Sequence, residues 1–550
     1  MVSRKRPQPA PFSTFGWSLT GALLIALSLP PLGVYPLAWV GLVPLLARWA
    51  SRPPTVDYVR ELYALLLTTS CCVGFWLLFN PDPKTAALGG VSLFVVPLPL
   101  VAAFGLASVV KERLGVLPGL VALTFNIVAV EYLTLSSDAS VPWLLLGHTQ
   151  ADAVEFIQMA DVGGVLLLSL WVVLLNVTAF LTLPRTNRPG ERYGERGASM
   201  AVFTALVALP VAYGTVRTAQ ADVPAGYTSV GIVQPGVPAA QWDRQSAVVK
   251  VDHLASLSDE LLATDFPADS TAEGAADSSR STPAAAAQGP SEGPRVGLLI
   301  WPQTSLPFMG TNRGEAQLYD RLQRWAAARG VSLLAGAQTA PEGVERTQRA
   351  PRPGDLANSA VLIRPGKPMV RYDQMRSVPF ADRKSAAGAE RVLFDAGGAE
   401  LAATVGFESM FGDHLRQFTS DGADLIVVLS RNDLWGRSSG LYQHLQFTRM
   451  RAIESRRAVV LSTVSGISAL IHPSGEIDRI AGWMDQNVEP IEVPTYRGMT
   501  FYVRHGDWVG RWGLGLGLLY NLGVLALVAF APELVRTRQV AKRPAARPII

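Results

Sequence analysis

Charge-free apolar runs recur along the first part of the chain: Phe12–Leu32, Val34–Ala47, Leu62–Asn80, Thr85–Val110, Leu114–Val130, Val162–Pro184 and Ala198–Val216. One more follows a long gap, at Trp512–Ala531. A helix crossing a bilayer needs about 20 such residues, so the pattern predicts eight spans. Pro30 and Pro31 separate the first two runs, which fit either one long hairpin or two tilted helices. The spans that follow the first run, and the lack of a small-residue cleavage site, argue against a cleaved signal peptide. Within the gap the pattern changes. Short β-rich runs appear at Tyr227–Gln234, Val296–Trp301, Val331–Gln338, Ser359–Arg364, Leu401–Phe407, Leu425–Ser430, Ala458–Thr463 and Ile467–His472. Helical periodicity appears at Gln245–Ala263, Glu315–Arg329 and Gly440–Arg456. Strands interleaved with helices predict an α/β domain. The stretch Thr264–Pro294 is rich in Ala, Ser, Pro, Gly and Asp, and reads as a disordered insertion.

Composition agrees with a membrane chain. Only 17% of the 550 residues are charged and 49% are hydrophobic, with a mean hydropathy of +0.24. That excludes a wholly soluble protein and a wholly disordered one. The formal charge of +4 is too small to call for a nucleic-acid partner. Its placement carries more information: basic residues gather before the first run (Arg4, Lys5, Arg6) and in every second loop (Arg48, Arg52, Arg60; Lys111, Arg113; Arg185, Arg188, Arg192, Arg196), then after the last run. By the positive-inside rule both termini are expected in the cytoplasm and the α/β domain on the outer side. The expected organisation is a membrane domain of about seven helices over 1–217, an extracytoplasmic domain over 218–507 with 264–294 disordered, and a final helix and basic tail over 508–550. Cys71 and Cys72 adjoin each other in an apolar run, a spacing that suits neither a disulfide framework nor a zinc site. The six histidines have no metal-binding spacing, so neither a metal nor a cofactor is expected.

Several motifs carry more specific information. In order they are Pro30-Pro31-Leu-Gly-Val-Tyr-Pro36-Leu-Ala-Trp39, Val141-Pro-Trp143-Leu-Leu-Leu-Gly147-His-Thr-Gln150 and Gln158-Met-Ala-Asp161-Val-Gly-Gly164. The α/β region adds Val233-Gln234-Pro, Trp301-Pro302-Gln303, Val378-Pro379-Phe380, Asn432-Asp433-Leu-Trp435-Gly436, Gln443-His444 and Met450-Arg451-Ala-Ile-Glu454. With the span–domain–span layout, the chain resembles the bacterial apolipoprotein N-acyltransferases over nearly its whole length. The resemblance implies an inner-membrane protein with a nitrilase-like (carbon–nitrogen-hydrolase) α-β-β-α sandwich. It implies acyl transfer from a phospholipid, through a cysteine thioester, to the N-terminal amine of a lipoprotein. In that chemistry a Glu acts as base, the Cys as nucleophile and a Lys as oxyanion donor, while a second Glu two residues beyond the Cys holds the site.

At the centre the sequence departs from that pattern. Gln303 stands at the base position, Gln374 at the lysine position and Gly406 at the nucleophile position. Lys367 and Lys384 are nearby alternatives for the lysine. The second Glu is retained as Glu408, and Asp382 occupies the position of a loop Glu after Pro-Phe, one carbon shorter. An amide does not ionise and glycine has no side chain, so the expectation is a family member without cysteine catalysis. Loss of a nucleophile and its base removes about 10⁶-fold of rate in comparable systems.

The substrate-pocket candidates are Trp242, Asp382, Trp435 and His444, the last expected to cap or pack at its helix start. Ser438, within a G-x-S-x-G pattern, reads as a polar loop residue. Ser409 and Thr404 lie near Gly406 with no histidine close to them in sequence. Trp143, Trp171, Trp508 and Trp512 suit an interfacial belt, and Glu131 suits either a headgroup cavity or a snorkelling position. Three functional expectations follow: a non-catalytic member that binds phospholipid or a lipoprotein N-terminus, an acyltransferase using non-standard residues, or a lipid-binding scaffold for a membrane glycosyltransferase. The sequence names no protein partner.

Overall fold

The computed structural model describes residues 11–51, 56–137, 140–183, 193–220, 222–263, 296–306, 308–309, 313–339, 356–377 and 387–531. The 264–294 insertion, Asp382, Lys384 and the Val378-Pro379-Phe380 motif lie outside the described residues.

The amino-terminal helices are α1 (Pro11–Leu27), α2 (Val43–Ser51), α3 (Val56–Gly74), α4 (Pro83–Val95), α5 (Leu98–Leu114), α6 (Val116–Ser136), α7 (Val154–Ile157), α8 (Ala160–Thr182) and α9 (Tyr193–Ala219). Six helical segments among the described residues are long and apolar enough to cross a bilayer: α3 with its 3-10 extension, α4 and α5 as one bent segment, α6, α8, α9 and the carboxy-terminal helix Trp508–Phe530. The first two expected spans differ from this. α1 has 17 residues, about 26 Å of helix. The second run breaks into a 3-10 turn at Tyr35–Trp39, with Pro36 in its first turn, and then the nine-residue α2. Proline sets φ and removes an amide donor, so Pro36 and Pro44 divide a run whose hydropathy alone reads as one helix.

α8 packs against α6, α9 and a 3-10 turn at Leu146–Gln150. Most of it is buried, whereas α9 leaves nearly its whole span facing outward. Both cysteines sit in α3 as free thiols.

Among the described residues the α/β domain has thirteen strands: β1 (Gly226–Gln234), β2 (Leu298–Trp301), β3 (Phe308–Met309), β4 (Ser332–Thr339), β5 (Ala357–Ile363), β6 (Val370–Asp373), β7 (Leu393–Asp395), β8 (Glu400–Val405), β9 (Leu425–Ser430), β10 (Val459–Thr463), β11 (Ser468–Ile471), β12 (Ile477–Ala481) and β13 (Asn487–Thr495). They form two sheets, in the orders β13-β1-β2-β4-β5-β6, with β3 added beside β4, and β12-β11-β10-β9-β8-β7. Its helices are α10 (Ala239–Arg244), α11 (Ala247–Ala263), α12 (Arg313–Arg329), α13 (Gly412–Ser420), α14 (Ser439–Ser455) and α15 (Phe501–His505), and α16 (Trp508–Phe530) returns to the bilayer.

Strand alternation builds the layers. Leu298 and Ile300 of β2 point into a core shared with Leu401, Ala403 and Val405 of β8, so the sheets pack face to face. Leu299 and Trp301 point the other way, into a second core with Leu254 of α11 and Leu322 of α12. The result is an α-β-β-α sandwich, as in the nitrilase-like fold. Its central strands, buried on both faces, carry the continuous apolar runs legible in the sequence.

The α/β domain docks on the helices through the motif residues. Gln443 of α14 accepts from Trp76 Nε1 at 3.0 Å and donates to the carbonyls of Pro30 and Val73. Asp161 accepts from Arg456 at 2.8 Å, Arg217 at 3.0 Å and Tyr213 at 2.7 Å. Glu454 accepts the Val165 amide at 3.0 Å and Arg451 at 2.8 Å. Unpaired charges would be costly in such buried positions; the Arg456–Asp161 ion pair, with the Glu454–Val165 and Gln443–Trp76 hydrogen bonds, crosses between the two parts.

Candidate functional site

The strand at Leu401–Phe407 ends earlier than its apolar pattern indicates. β8 stops at Val405, and Gly406 begins a 3-10 turn to Met410. Gly406 has φ +63°, the left-handed region that residues with a Cβ enter at a cost. The chain therefore makes a sharp elbow at the position where the family resemblance places the nucleophile.

Glu408 secures that elbow from behind. Its Oε1 accepts from Tyr372 Oη at 2.7 Å and from the amides of Met375 and Arg376 at 2.8 and 3.0 Å, and its Oε2 accepts from the Val405 amide at 2.9 Å. His414 Nε2 lies 3.3 Å away. A carboxylate held by this many donors is a tie between β6 and the end of β8. Gln374 acts in parallel: its amide accepts from Asn358 Nδ2 at 2.9 Å and donates to the carbonyls of Arg376 and Val405.

In front of the elbow lies a cavity of about 620 Å³. Gln303, Gly406, Phe407 and Trp435 line it from the α/β domain, and Asn80, Asp82 and Thr85 line it from the start of α4. Both parts of the molecule thus build one pocket. Its charged side chains are Asp82, Asp243, Lys250 and Arg431. Arg431 is committed to Asp243 at 2.6 Å and to Asp433 at 3.3 Å. Lys250 Nζ sits 5.0 Å from the centre of the Trp242 ring, a cation–π placement. Burial, with Arg431 nearby, lowers the Lys250 ammonium to a pKa of about 8.

Of the expected site residues, Gln303, Gly406 and Trp435 line the cavity, whereas Gln374, Glu408, Trp242 and His444 stand behind its wall. Trp242 is fully buried and donates to Thr304 Oγ1 at 3.1 Å, so it supports the wall through Thr304 and Lys250. Trp435 joins Trp76, Trp143 and Phe407 in an aromatic cluster across the two parts, with ring centres 4.8–5.5 Å apart. Lys367 is no substitute for the missing lysine: it is exposed and pairs with Asp395 at 3.4 Å.

Two further expectations change, and Ser438 keeps its expected place outside an elbow. Trp143 and Trp171 are buried, Trp171 donating to the Leu206 carbonyl; of the expected belt, Trp512 is the exposed member. Ser438 caps α14 by accepting the Gly440 amide, and makes no strand-to-helix elbow. Ser409 does have a histidine: His444 Nε2 lies 2.8 Å from Ser409 Oγ, with Asn432 Nδ2 3.4 Å from His444 Nδ1. The 35 residues between Ser409 and His444 hid this pair in the sequence. Ser409 and His444 are fully enclosed, and neither lines the cavity. Burial lowers the His444 imidazole to a pKa of about 4, so it is neutral near pH 7.

A two-sheet sandwich with a left-handed elbow at the end of β8, seated on membrane helices, defines a membrane-bound carbon–nitrogen-hydrolase-type protein. Comparison with known proteins agrees. Residues 21–178 match the apolipoprotein N-acyltransferase N-terminal domain, and residues 229–493 match the carbon–nitrogen hydrolase domain. The apolipoprotein N-acyltransferase of Chlorobaculum tepidum is 26% identical over 93% of this chain and 95% of its own. That of Geobacter metallireducens is 26% identical over 93% and 94%. Among solved structures, Saccharomyces cerevisiae Nit3 of the nitrilase superfamily covers 50% of this chain and 92% of its own at 12% identity, with a TM-score of 0.37. The chain belongs to the apolipoprotein N-acyltransferase family.

Proposed function

We propose that this protein keeps the family's pocket as a binding site for phospholipid or a lipoprotein N-terminus and does not carry out acyl transfer through a thioester. The observation that carries this reading is the elbow itself: its backbone is in place at Gly406 with no side chain to attack, and Gln303 faces the same cavity. The only cysteines, Cys71 and Cys72, belong to α3. Covalent catalysis needs a nucleophile activated by a base, and neither family position supplies one.

In this reading residues 1–217 form the amino-terminal membrane domain, 218–507 an extracytoplasmic domain and 508–550 the final helix and cytoplasmic tail. The basic loops support an inner-membrane orientation with both termini inside. The deciding experiment incubates the purified full-length protein with phospholipid and a diacylated lipopeptide and follows the products by mass spectrometry. No triacylated lipopeptide is expected; its formation by this protein alone overturns the reading.

A second reading, acyl transfer by other residues, is favoured by the Ser409–His444 contact. A serine hydrogen-bonded to a neutral imidazole has the form of an activated nucleophile. Its enclosure argues against it. A fluorophosphonate probe separates the two: labelling that disappears in Ser409→Ala supports a serine enzyme.

A further inference from the structure

The membrane helices enclose a second cavity, of about 360 Å³, that shares no lining residue with the pocket at the elbow. It lies between α5, α6 and the segment 140–145, at the other end of α4 from the pocket. Its walls are apolar, formed by residues such as Val96 and Leu144. Val95 and Leu133 on its rim are each about half exposed and belong to membrane-crossing segments, so the mouth faces lipid chains.

Four polar side chains, Glu131, Thr134, Ser137 and Ser140, interrupt this apolar lining; Thr134 is satisfied by the Val130 carbonyl, and Glu131 and Ser140 are the deeply buried pair. Glu131 is 4% exposed and Ser140 is 2% exposed. Glu131 Oε1 accepts the Leu146 amide at 2.8 Å and so holds the loop. Its Oε2, and the Ser140 hydroxyl, make no hydrogen bond of standard geometry among the described residues; the Ser169 hydroxyl, which accepts the Gly147 amide, stands near the carboxylate on the protein side. A buried polar atom without a partner is rare, and inside a bilayer no bulk water can supply one. An acidic residue within a crossing helix that lines a cavity is a candidate functional group. The volume would hold about a dozen water-sized groups, enough for part of an acyl chain together with a small head.

We propose that this cleft is a separate lipid site, taking a membrane amphiphile whose head donates a hydrogen bond to Glu131 and Ser140 while its chain lies against Val96 and Leu144. An ammonium or a hydroxyl head supplies such a donor; a quaternary ammonium does not. The site stands whether or not the elbow pocket binds a substrate.

The test uses the full-length protein in nanodiscs carrying a diazirine on the acyl chain of phosphatidylethanolamine, phosphatidylglycerol or phosphatidylcholine. After irradiation, labelled peptides are mapped by mass spectrometry. Label is expected on α5 and α6 peptides, at least threefold stronger from one of the two donor-bearing lipids than from phosphatidylcholine; which of the two dominates tells ammonium from hydroxyl. Glu131→Gln keeps an acceptor for the Leu146 amide and should bring the ratio close to one. Val96→Trp fills the cleft and should remove the label from all three lipids. Equal labelling by all three lipids in the unaltered protein, or labelling that survives Val96→Trp, overturns the proposal, as does absence of label on these helices, which would mark a water-filled cleft. Should Glu131→Gln fail to fold, the lipid ratio and Val96→Trp still decide.

Discussion

Gly406→Cys asks whether the elbow still fits a nucleophile. At φ +63° a side chain costs about 1–2 kcal/mol, which for a domain of this size lowers the melting temperature by about 2–8 °C. Gln303→Glu returns a carboxylate to the cavity wall. Gln374→Lys places an ammonium beside the Arg376 and Val405 carbonyls, which now accept from the amide. It also removes the acceptor of Asn358 Nδ2, and a buried donor left without a partner costs about 1–3 kcal/mol. The triple variant is therefore expected to be less stable by a few kcal/mol and still folded. Incubated with phospholipid, it should acquire a hydroxylamine-sensitive acyl adduct, read as a mass increase on the intact protein. Gly406→Cys alone should acquire it far more slowly, because no base is present. A folded triple variant that acquires no adduct would refute the view that the pocket is otherwise intact. Acyl transfer by the unaltered protein would refute the larger reasoning.

Three other outcomes follow. Asp161→Asn removes the carboxylate that pairs with Arg456 at the junction of the two parts, while Arg217 keeps Asp222 at 3.8 Å; breaking a buried pair costs about 3–5 kcal/mol, and limited proteolysis should cut between the α/β domain and the helices sooner than in the unaltered protein. His444 has a pKa of about 4 in the folded protein against 6.5 ordinarily, so the unfolded chain takes the proton first and the histidine's contribution to stability falls by about 3 kcal/mol as pH drops from 6.5 to 4; denaturant midpoints across that window should show the loss, and His444→Gln should reduce it by that amount. Lys250 loses its charge near pH 8, so binding of short-chain phosphatidylglycerol in the elbow pocket should weaken between pH 7 and 9 by calorimetry, and Lys250→Met should remove that dependence.

The sequence was most informative where burial is uniform. β9 matches its expected limits because Leu-Ile-Val-Val-Leu is buried on both faces, and β1, β2, β4, β5 and β10 are close for the same reason. β13 escaped notice because most of it is only half-buried and it contains Pro490 and Pro494; its pairing with β1 is a tertiary effect. The candidate site was legible as positions, since Gln303, Gly406 and Trp435 meet around one cavity. Its second wall was not: nothing in Asn80–Thr85 announces contact with a domain that begins more than 130 residues onward, because that contact depends on how α3 and its 3-10 extension seat against α14. Ser409 and His444 likewise meet only after β9 and α14 are placed.

The elbow pocket is jointly owned. Its far wall is the start of α4, and the register between the two walls is set by α14, whose Gln443 grips Pro30, Val73 and Trp76 while His444, the next residue, reaches the elbow turn. Ligand preference is therefore not a portable property of the α/β domain. Grafting a relative's α/β domain, catalytic residues included, onto these helices would make a hybrid chamber with this chain's floor, and the reverse graft would do the same. A domain exchange that kept the donor's preference would have to carry Asn80–Thr85 with it.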